Sequence, residues 1–157
     1  MKMELDEAIQ ELKEHGYIIE DKESSKKYTL TEEITEINGH IVHRIKALKT
    51  FKNKTYGTIK AGELGGWVES EDNLSQEGNC WVTGQAKIFG HAVVFGNALV
   101  YGNALVYDYA RVYDNAEVSG YSKVRGDAEV NGNDLVYAND NAKSKRDIIP
   151  MFDTDEW

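Results

Sequence analysis

The side chains best suited to chemistry in this chain are four histidines and a single cysteine. The histidines are His15, His40, His43 and His91, and the cysteine is Cys80. Histidine serves as a general base near neutral pH when it lies within reach of the proton that it removes. His40 and His43 with one distant cysteine do not form a tetrahedral ligand set, so we expect no metal site.

The remaining sequence features do not point to a bound cofactor. No Gly-rich loop follows a strand and opens a helix, as phosphate-binding motifs require. A single cysteine excludes a disulfide within the chain, and Cys80 stands in a column of small residues, which predicts a buried spacer. The N-terminal sequence lacks the apolar core of a signal peptide, and no apolar run is long enough to span a bilayer. We therefore expect a cytoplasmic protein without a cofactor or a membrane partner.

These residues belong to a repeat with a period of six that runs from Glu77 to Ala142. An aliphatic residue recurs at every sixth position, and a small residue follows it four positions later. A Gly column and an Asn-rich column lie between them. The aliphatic positions are Val82, Ile88, Val94, Val100, Val106, Val112, Val118, Val124, Val130 and Val136. Self-similarity at a short fixed period indicates a solenoid.

The chemistry of one hexad explains how the chain closes into a coil. Neighbours in a strand point to opposite faces, so Val100 points inward while Leu99 and Tyr101 point outward. Gly102 and Asn103 then turn the chain, because both residue types tolerate positive φ. Three such sides close a triangular coil, and successive coils stack with parallel strand pairing.

This pattern resembles the hexapeptide-repeat, left-handed parallel β-helix family. The resemblance implies a mainly β fold with three hexads per coil and about three coils across residues 80–142. The preceding segment, which includes Lys60–Val68, Asn73–Ser75 and Gly78–Val82, is similar to that of small phage and prophage members of the family. Those proteins are labelled by analogy as transferases or polymer-forming proteins. The resemblance thus implies a fold and a phage origin.

Three further segments surround the repeat. Residues 1–60 are predicted to form a helix with an apolar stripe, followed by a hairpin at Asn38-Gly39 with Ile34, Ile41 and Ile45 on one face. Residues 61–79 are predicted to cap the coil, with Trp67 as a plug over its open end. Residues 143–157 form a tail that could cap the coil, reach a second subunit or dock elsewhere. The helix stripe consists of Leu5, Ala8, Ile9 and Leu12.

The predicted outer surface is unusual because the middle coil carries an apolar belt on all three sides. The belt consists of Val93, Phe95, Leu99, Tyr101, Leu105 and Tyr107 of the middle coil, together with Trp81 from the turn before. A lone soluble coil should not expose so many apolar side chains to water. We expect that the N-terminal region covers part of the belt, that the belt is a subunit interface, or that both hold with a face left for each; a subunit interface predicts a dimer or a trimer.

The charge pattern disfavours free nucleic acid as a partner, because the net charge is −9. Segment 44–60 is basic, but a solvated surface is its simplest interpretation. An acidic set on the coil could steer a basic partner, or it could only keep the protein soluble. The acidic candidates are Asp108, Asp114, Glu117, Asp127, Glu129 and Asp134.

Two functional hypotheses follow. The first is a non-enzymatic binding or scaffold protein, phage-derived, that associates with itself or binds a host protein in the host cytoplasm, for example to inhibit a defence or nucleic-acid-handling protein. The alternative comes from the resemblance, since many hexapeptide-repeat proteins are acyltransferases that use acyl-coenzyme A and a histidine base. His91 would be that base, because it replaces a turn residue and projects beside the belt.

Overall fold

The computed structural model of the protein describes residues 26–139 and the backbone of Asp147–Ile148. Over these residues the chain is mainly β and forms a stacked parallel β-solenoid of about four turns. This fold class confirms the prediction from the repeat. The predicted helix stripe from Leu5 to Leu12 lies outside the described residues, as does most of the predicted tail.

The strands fall into two groups. Those that precede the coil are β1 (Tyr28–Ile37), β2 (His40–Ala47), β3 (Phe51–Asn53) and β4 (Gly57–Ile59). The coil strands are β5 (Leu64–Val68), β6 (Trp81–Val82), β7 (Lys87–Ile88), β8 (Val93–Val94), β9 (Leu99–Val100), β10 (Leu105–Val106), β11 (Arg111–Val112), β12 (Glu117–Gly120), β13 (Lys123–Val124), β14 (Glu129–Val130), β15 (Leu135–Ala138) and β16 (Asp147–Ile148). A short 3-10 helix spans Glu71–Asn73.

The coil strands stack into three parallel faces. The first face contains β5, β7, β10, β13 and β16, the second contains β8, β11 and β14, and the third contains β6, β9, β12 and β15. Leu105 pairs with Lys87 on one side and Lys123 on the other, so each turn consists of three hexads. Each residue therefore stacks on its equivalents in the turns before and after it.

The inward aliphatic column starts earlier than the hexad pattern. Val68 pairs with Ile88, Leu74 bridges to Val94, and both Val68 and Leu74 are fully buried. The spacing from Leu74 to Val82 is longer than one hexad, so a search for a strict period of six residues does not find Val68 and Leu74. They account for the difference between the expected three turns and the observed four.

A hairpin of β1 and β2 closes the first face beside β5, at the N-terminal end of the coil, which we call the upper end. Its turn residues Asn38 and Gly39 have φ of 50° and 82°, as a tight hairpin turn requires. Strand β2 pairs antiparallel with β5 and so occupies the edge that the coil would otherwise expose. The long hairpin extends past β5, and its tip reaches the corner between the first and second faces through a contact from His40 to Glu69.

One expectation about this cap is wrong and another is confirmed. Trp67 is not a plug, because it sits beside Lys87 on the outside of the first face, where Val42 and Arg44 cover it. Ile34, Ile41 and Ile45 share one face of the hairpin, as predicted, because Ile34 pairs with His43, which lies two positions from both Ile41 and Ile45. Only Ile45 is buried, whereas Ile34 and Ile41 are exposed.

The upper end of the coil is filled by side chains from the preceding strands. Tyr28, Ile45 and Ile59 are fully buried in the same core as Val68. Gly65 lies where a Cβ would stand 2.7 Å from a ring carbon of Trp81 and 2.7 Å from the Val82 carbonyl oxygen. The cap and the coil therefore pack as one continuous core.

Candidate functional site

The predicted apolar belt is partly covered by the chain itself. On the third face Trp81 and Leu99 are buried, with 0% and 3% exposure. The β3–β4 hairpin lies over them: Phe51 packs edge-on against Trp81, with ring centroids 5.4 Å apart, and Asn53 Nδ2 donates to the Asn79 carbonyl at 2.8 Å. These two belt residues cannot meet a partner while the hairpin is in place.

The other belt residues keep part of their surface. Leu105 and Tyr107 on the first face pack against the buried cluster of Val42, Trp67 and Phe89. The remaining three, which are Val93, Phe95 and Tyr101, are half-buried. The belt therefore narrows to a partly exposed strip on the first and second faces, with Tyr101 half-buried on the third.

Beside this strip lies the most distinctive surface of the coil, which we call the aromatic corner. It consists of Phe89, His91 and Phe95 in one turn and Tyr107, Tyr109 and Tyr113 in the next. The three ring pairs stack with centroid distances of 5.0, 4.9 and 4.8 Å and interplanar angles of 1°, 9° and 7°. The spacing matches the distance between neighbouring strands, because each pair occupies one column of the coil.

The exposure of the aromatic corner increases toward its tyrosines. Phe89 is buried at 1% exposure, whereas Tyr109 is 61% exposed and Tyr107 and Tyr113 are half-buried. Each tyrosine presents a polar hydroxyl and a large apolar ring on a backbone that is hydrogen-bonded to the adjacent turns. The corner thus offers rigid, amphipathic contact area.

A cavity of about 280 Å³ opens between the hairpin tip and the aromatic corner. Asn38 and His40 line it from the hairpin, and His91, Tyr107 and Tyr109 line it from the coil. The His40 ring also lies against Phe89, with centroids 5.0 Å apart and planes tilted by 43°. The cavity therefore joins a predicted site residue, His91, to a second histidine that is distant in sequence.

Glu69 fixes the orientation of His40. Its carboxylate oxygens lie 3.0 and 3.1 Å from His40 Nδ1, and Oε1 also accepts from the Gly90 N–H at 2.8 Å. An ionised carboxylate can only accept, so we assign the shared hydrogen to Nδ1 of His40. This leaves Nε2 as the second ring nitrogen of an oriented imidazole, which is the arrangement that a general base needs.

The pKa of Glu69 is lowered relative to its ordinary value. Burial by itself raises this pKa, but the hydrogen bonds from His40 and the Gly90 N–H, together with the charges of His40 and His91, outweigh it. The carboxylate is therefore ionised at neutral pH, and it holds the hairpin tip to the coil.

Two of the acidic candidates have a structural role in the turns. Asp108 and Asp114 have φ of 60° and 58°, and each carboxylate accepts from a glycine N–H in the following turn, Gly126 or Gly132, at 3.0 Å. Aspartate tolerates this left-handed conformation better than most residues do. Both side chains are also exposed, so their charges face solvent.

The other acidic candidates are more varied. Asp134 accepts a bond of 3.4 Å from the Asn131 N–H, and Glu129 lies 4.0 Å from Arg111. Asp127 is exposed and Glu117 is half-buried. The six candidates are spread over residues 108–134, and the structure does not gather them into one cluster with a shared partner.

Cys80 forms a buried contact with Lys27, which sequence reasoning missed. Lys27 is 1% exposed, and its Nζ donates to the Cys80 carbonyl at 2.8 Å and lies 3.3 Å from Cys80 Sγ. Burial lowers the pKa of Lys27 and raises that of Cys80, although each group opposes the shift of the other. A buried thiol with a raised pKa is a weak nucleophile, so this pair serves packing.

Other kinds of site find little support. A second cavity, of about 690 Å³, lies beside Lys27, Phe51 and Gln76 at the upper end of the coil. Within residues 26–139, no group of His, Cys, Asp and Glu side chains is arranged to hold a metal ion. The described part of the chain also has no helix long and apolar enough to cross a membrane.

Compared with known proteins, the chain matches no family model and no curated sequence. The site is therefore defined by the geometry of the described residues alone. That geometry brings together His91 and Tyr107, which were predicted, with His40, Glu69 and Tyr109, which were not. The repeat contains the signal for Tyr109 and Tyr113, since each follows His91 or Phe95 by one turn.

Proposed function

We propose that this protein is a non-enzymatic binding protein, in which the solenoid is a rigid scaffold and the aromatic corner contacts another protein. The observation that carries the proposal is the set of three stacked ring pairs in adjacent turns, which ends in the exposed ring of Tyr109. Tyrosine is enriched at protein interfaces, because it supplies a large contact area with few rotatable bonds.

The scaffold supports this role because the contact residues do not need to be ordered on binding. The backbone N–H groups of Tyr107, Tyr109 and Tyr113 donate to carbonyl groups of the following turn at 3.0, 2.9 and 2.9 Å. Preorganised contact residues lose less conformational entropy on association. A rigid surface of this kind favours specific binding of one partner over nonspecific hydrophobic association.

We propose that the partner is a protein of the host cell, met in the host cytoplasm. The resemblance to small phage and prophage proteins motivates this choice. A host defence or nucleic-acid-handling protein with a basic groove would suit the acidic charge of the coil, since opposite charges accelerate association and select partners. Self-association through the same surface would make the protein a homo-oligomer.

Affinity capture with matched variants tests the proposal. The double variant Tyr109→Ala, Tyr113→Ala should lose a partner that the unchanged protein retains, because it removes the exposed ring of Tyr109 and the half-buried ring of Tyr113 without touching the coil interior. Tyr137→Ala is the control, since Tyr137 is 62% exposed but lies on the third face of a lower turn. Equal capture by all three proteins would refute the proposal.

Light scattering separates a foreign partner from a second copy. If the double variant reduces the molar mass of the purified protein while Tyr137→Ala does not, the corner is a self-association surface. If the mass is unchanged and capture is lost, the corner binds another protein. A loss of thermal stability in the double variant would have to be excluded by calorimetry on the same samples.

A second candidate function, acyl transfer from acyl-coenzyme A, is favoured by the cavity that contains His91. His40 with its Glu69 partner also supplies an oriented imidazole there. The cavity volume of about 280 Å³ would admit only a small group of the substrate. Calorimetry with acetyl-coenzyme A tests this candidate: binding heat that His91→Ala abolishes supports it, and no heat from the unchanged protein excludes it.

A further inference from the structure

The walls of the cavity at the aromatic corner combine aromatic rings with negative charge. The aromatic residues Phe89, His91, Tyr107 and Tyr109 line it, and so does Asp108, whose carboxylate accepts from the Gly126 N–H of the next turn. None of its described lining residues is a lysine or an arginine. Aromatic walls attract organic cations, because the face of a ring carries negative charge density.

The carboxylates near the cavity retain the capacity to accept further hydrogen bonds. Asp108 uses Oδ2 for the Gly126 N–H, and a carboxylate has about four lone-pair sites in total. Glu69 adds a second negative charge behind His40. The net charge of −9 also raises the local concentration of cations around the molecule.

We propose that this cavity binds an arginine side chain of the protein partner, an inference that depends on the proposed function. Guanidinium is planar, so it stacks on an aromatic ring while its N–H groups donate to a carboxylate in the same plane. Tyr109 stacks on His91 through one face of its ring and supplies the other face to the guanidinium, and Asp108 supplies the carboxylate. Lysine carries the same charge, but it lacks the planar donor geometry, so it binds less well.

The experiment is an NMR titration of the full chain with a capped arginine tripeptide at low ionic strength, repeated with the corresponding lysine tripeptide. The arginine peptide should shift the resonances of His91 and Tyr109 in a saturable manner. Asp108→Asn should weaken its binding about tenfold, the loss that follows from removing a charge-assisted hydrogen bond. Tyr109→Ala should weaken it by several-fold.

The matched control is Asp114→Asn. Asp114 has almost the same φ as Asp108 and the same bond to a glycine N–H in the next turn, but it lies at the following corner. Asparagine tolerates the left-handed turn and its side-chain oxygen can still accept the bond, so both variants should fold. Asp114→Asn should change the arginine affinity by less than about twofold, because its charge is distant and screened.

Three results would overturn the inference. Equal weakening by Asp108→Asn and Asp114→Asn would mean that only the overall charge acts. Equal affinity for the lysine peptide would show that the cavity recognises a positive charge and not the guanidinium group. Resonance shifts confined to other parts of the coil would show that the peptide binds outside the cavity. Each can occur while the tyrosine double variant still loses its captured protein, so failure here is distinguishable from failure of the proposed function.

Discussion

Two leucines in one column of the third face differ strongly in solvent exposure. Leu99 and Leu135 occupy one column, separated by Glu117, yet Leu99 is 3% exposed and Leu135 is 68% exposed. Both leucines occupy the same position within their hexads. Their difference comes from the β3–β4 hairpin, which packs over the upper turns only. Burial on the outside of a solenoid is thus set by what the rest of the chain places on it.

The inside of the coil shows a weaker version of the same gradient. Val82 and Val100 are fully buried, whereas Val136 and Ala138 are 5% and 6% exposed. Repeats contact only their neighbours, so the turns that the preceding strands cover gain contacts that stabilise them. The upper turns should therefore be the stable part of the described coil.

The largest expected effect comes from the leucine pair itself. Leu99→Ala should lower the free energy of unfolding by about 3 kcal/mol, because it leaves a cavity under the β3–β4 hairpin. Leu135→Ala should lower it by less than about 0.5 kcal/mol, as expected for an exposed position. Urea denaturation of the two variants measures both values. Similar losses would show that the lower turn is covered to the same degree as the upper one.

A smaller loss is expected from Gly65→Ala. The added methyl group would overlap Trp81, Val82 and Ile45, each within 2.8 Å of the new Cβ position, and such overpacking costs about 1–3 kcal/mol. The control is Gly132→Ala in the lower coil, where no atom lies within 4 Å but φ is +61°. The control should lose about 1 kcal/mol from backbone strain alone. Thermal unfolding of both variants shows whether the tight packing is confined to the cap.

The turn at Asp114 allows the strain to be separated from the hydrogen bond. Asp114→Ala should lower stability by about 1–2 kcal/mol, because alanine resists positive φ and cannot accept from Gly132. Asp114→Gly should lose less, since glycine adopts this conformation freely and occupies the equivalent corner at Gly96. Equal losses in calorimetry would assign the whole effect to the carboxylate.

The smallest expected effect concerns Glu69, which ties the hairpin tip to the coil. Its pKa is lower in the folded chain than the ordinary value of 4.5, so the stability that it contributes is present above that value and is lost as the pH falls through the folded pKa. Glu69→Gln should therefore cost less than about 1 kcal/mol at pH 7, since the group is partly exposed.

The pH dependence provides the check on this prediction. The difference in stability between the unchanged protein and Glu69→Gln should shrink as the pH falls below 4.5, the ordinary value. Glu32→Gln, at an exposed position of β1, is the control for the loss of one carboxylate elsewhere on the hairpin. A difference that stays constant with pH would mean that the carboxylate charge does not hold the hairpin.

The coil could be predicted from the sequence because its information is local. Each hexad repeats the same aliphatic, glycine and alanine columns. The positions of Val100 and Ala104 within a hexad are therefore enough to predict that both side chains face inward. The faces and their stacking follow from the period. Asp108 and Asp114 also fit this logic, since both replace glycine at a position of positive φ.

The cap and the cavity could not be predicted in this way because they depend on long-range contacts. Nothing near His40 indicates that its partner is Glu69, and nothing near Trp81 indicates that Phe51 will cover it. The register of β1 with β2 shifts between Leu30 and Ile34, and no alternation rule anticipates this irregularity. The site thus arises where an irregular segment meets a regular one.

The pairing of residues eighteen positions apart also limits how this chain can change in length. Addition or removal of a complete turn leaves every column intact, so the rod can grow or shrink without repacking. A single extra hexad before Leu99 would instead rotate all later side chains by one face and carry Tyr107 away from Phe89. Insertions in related chains should therefore come in whole turns or in the loops that precede the rod.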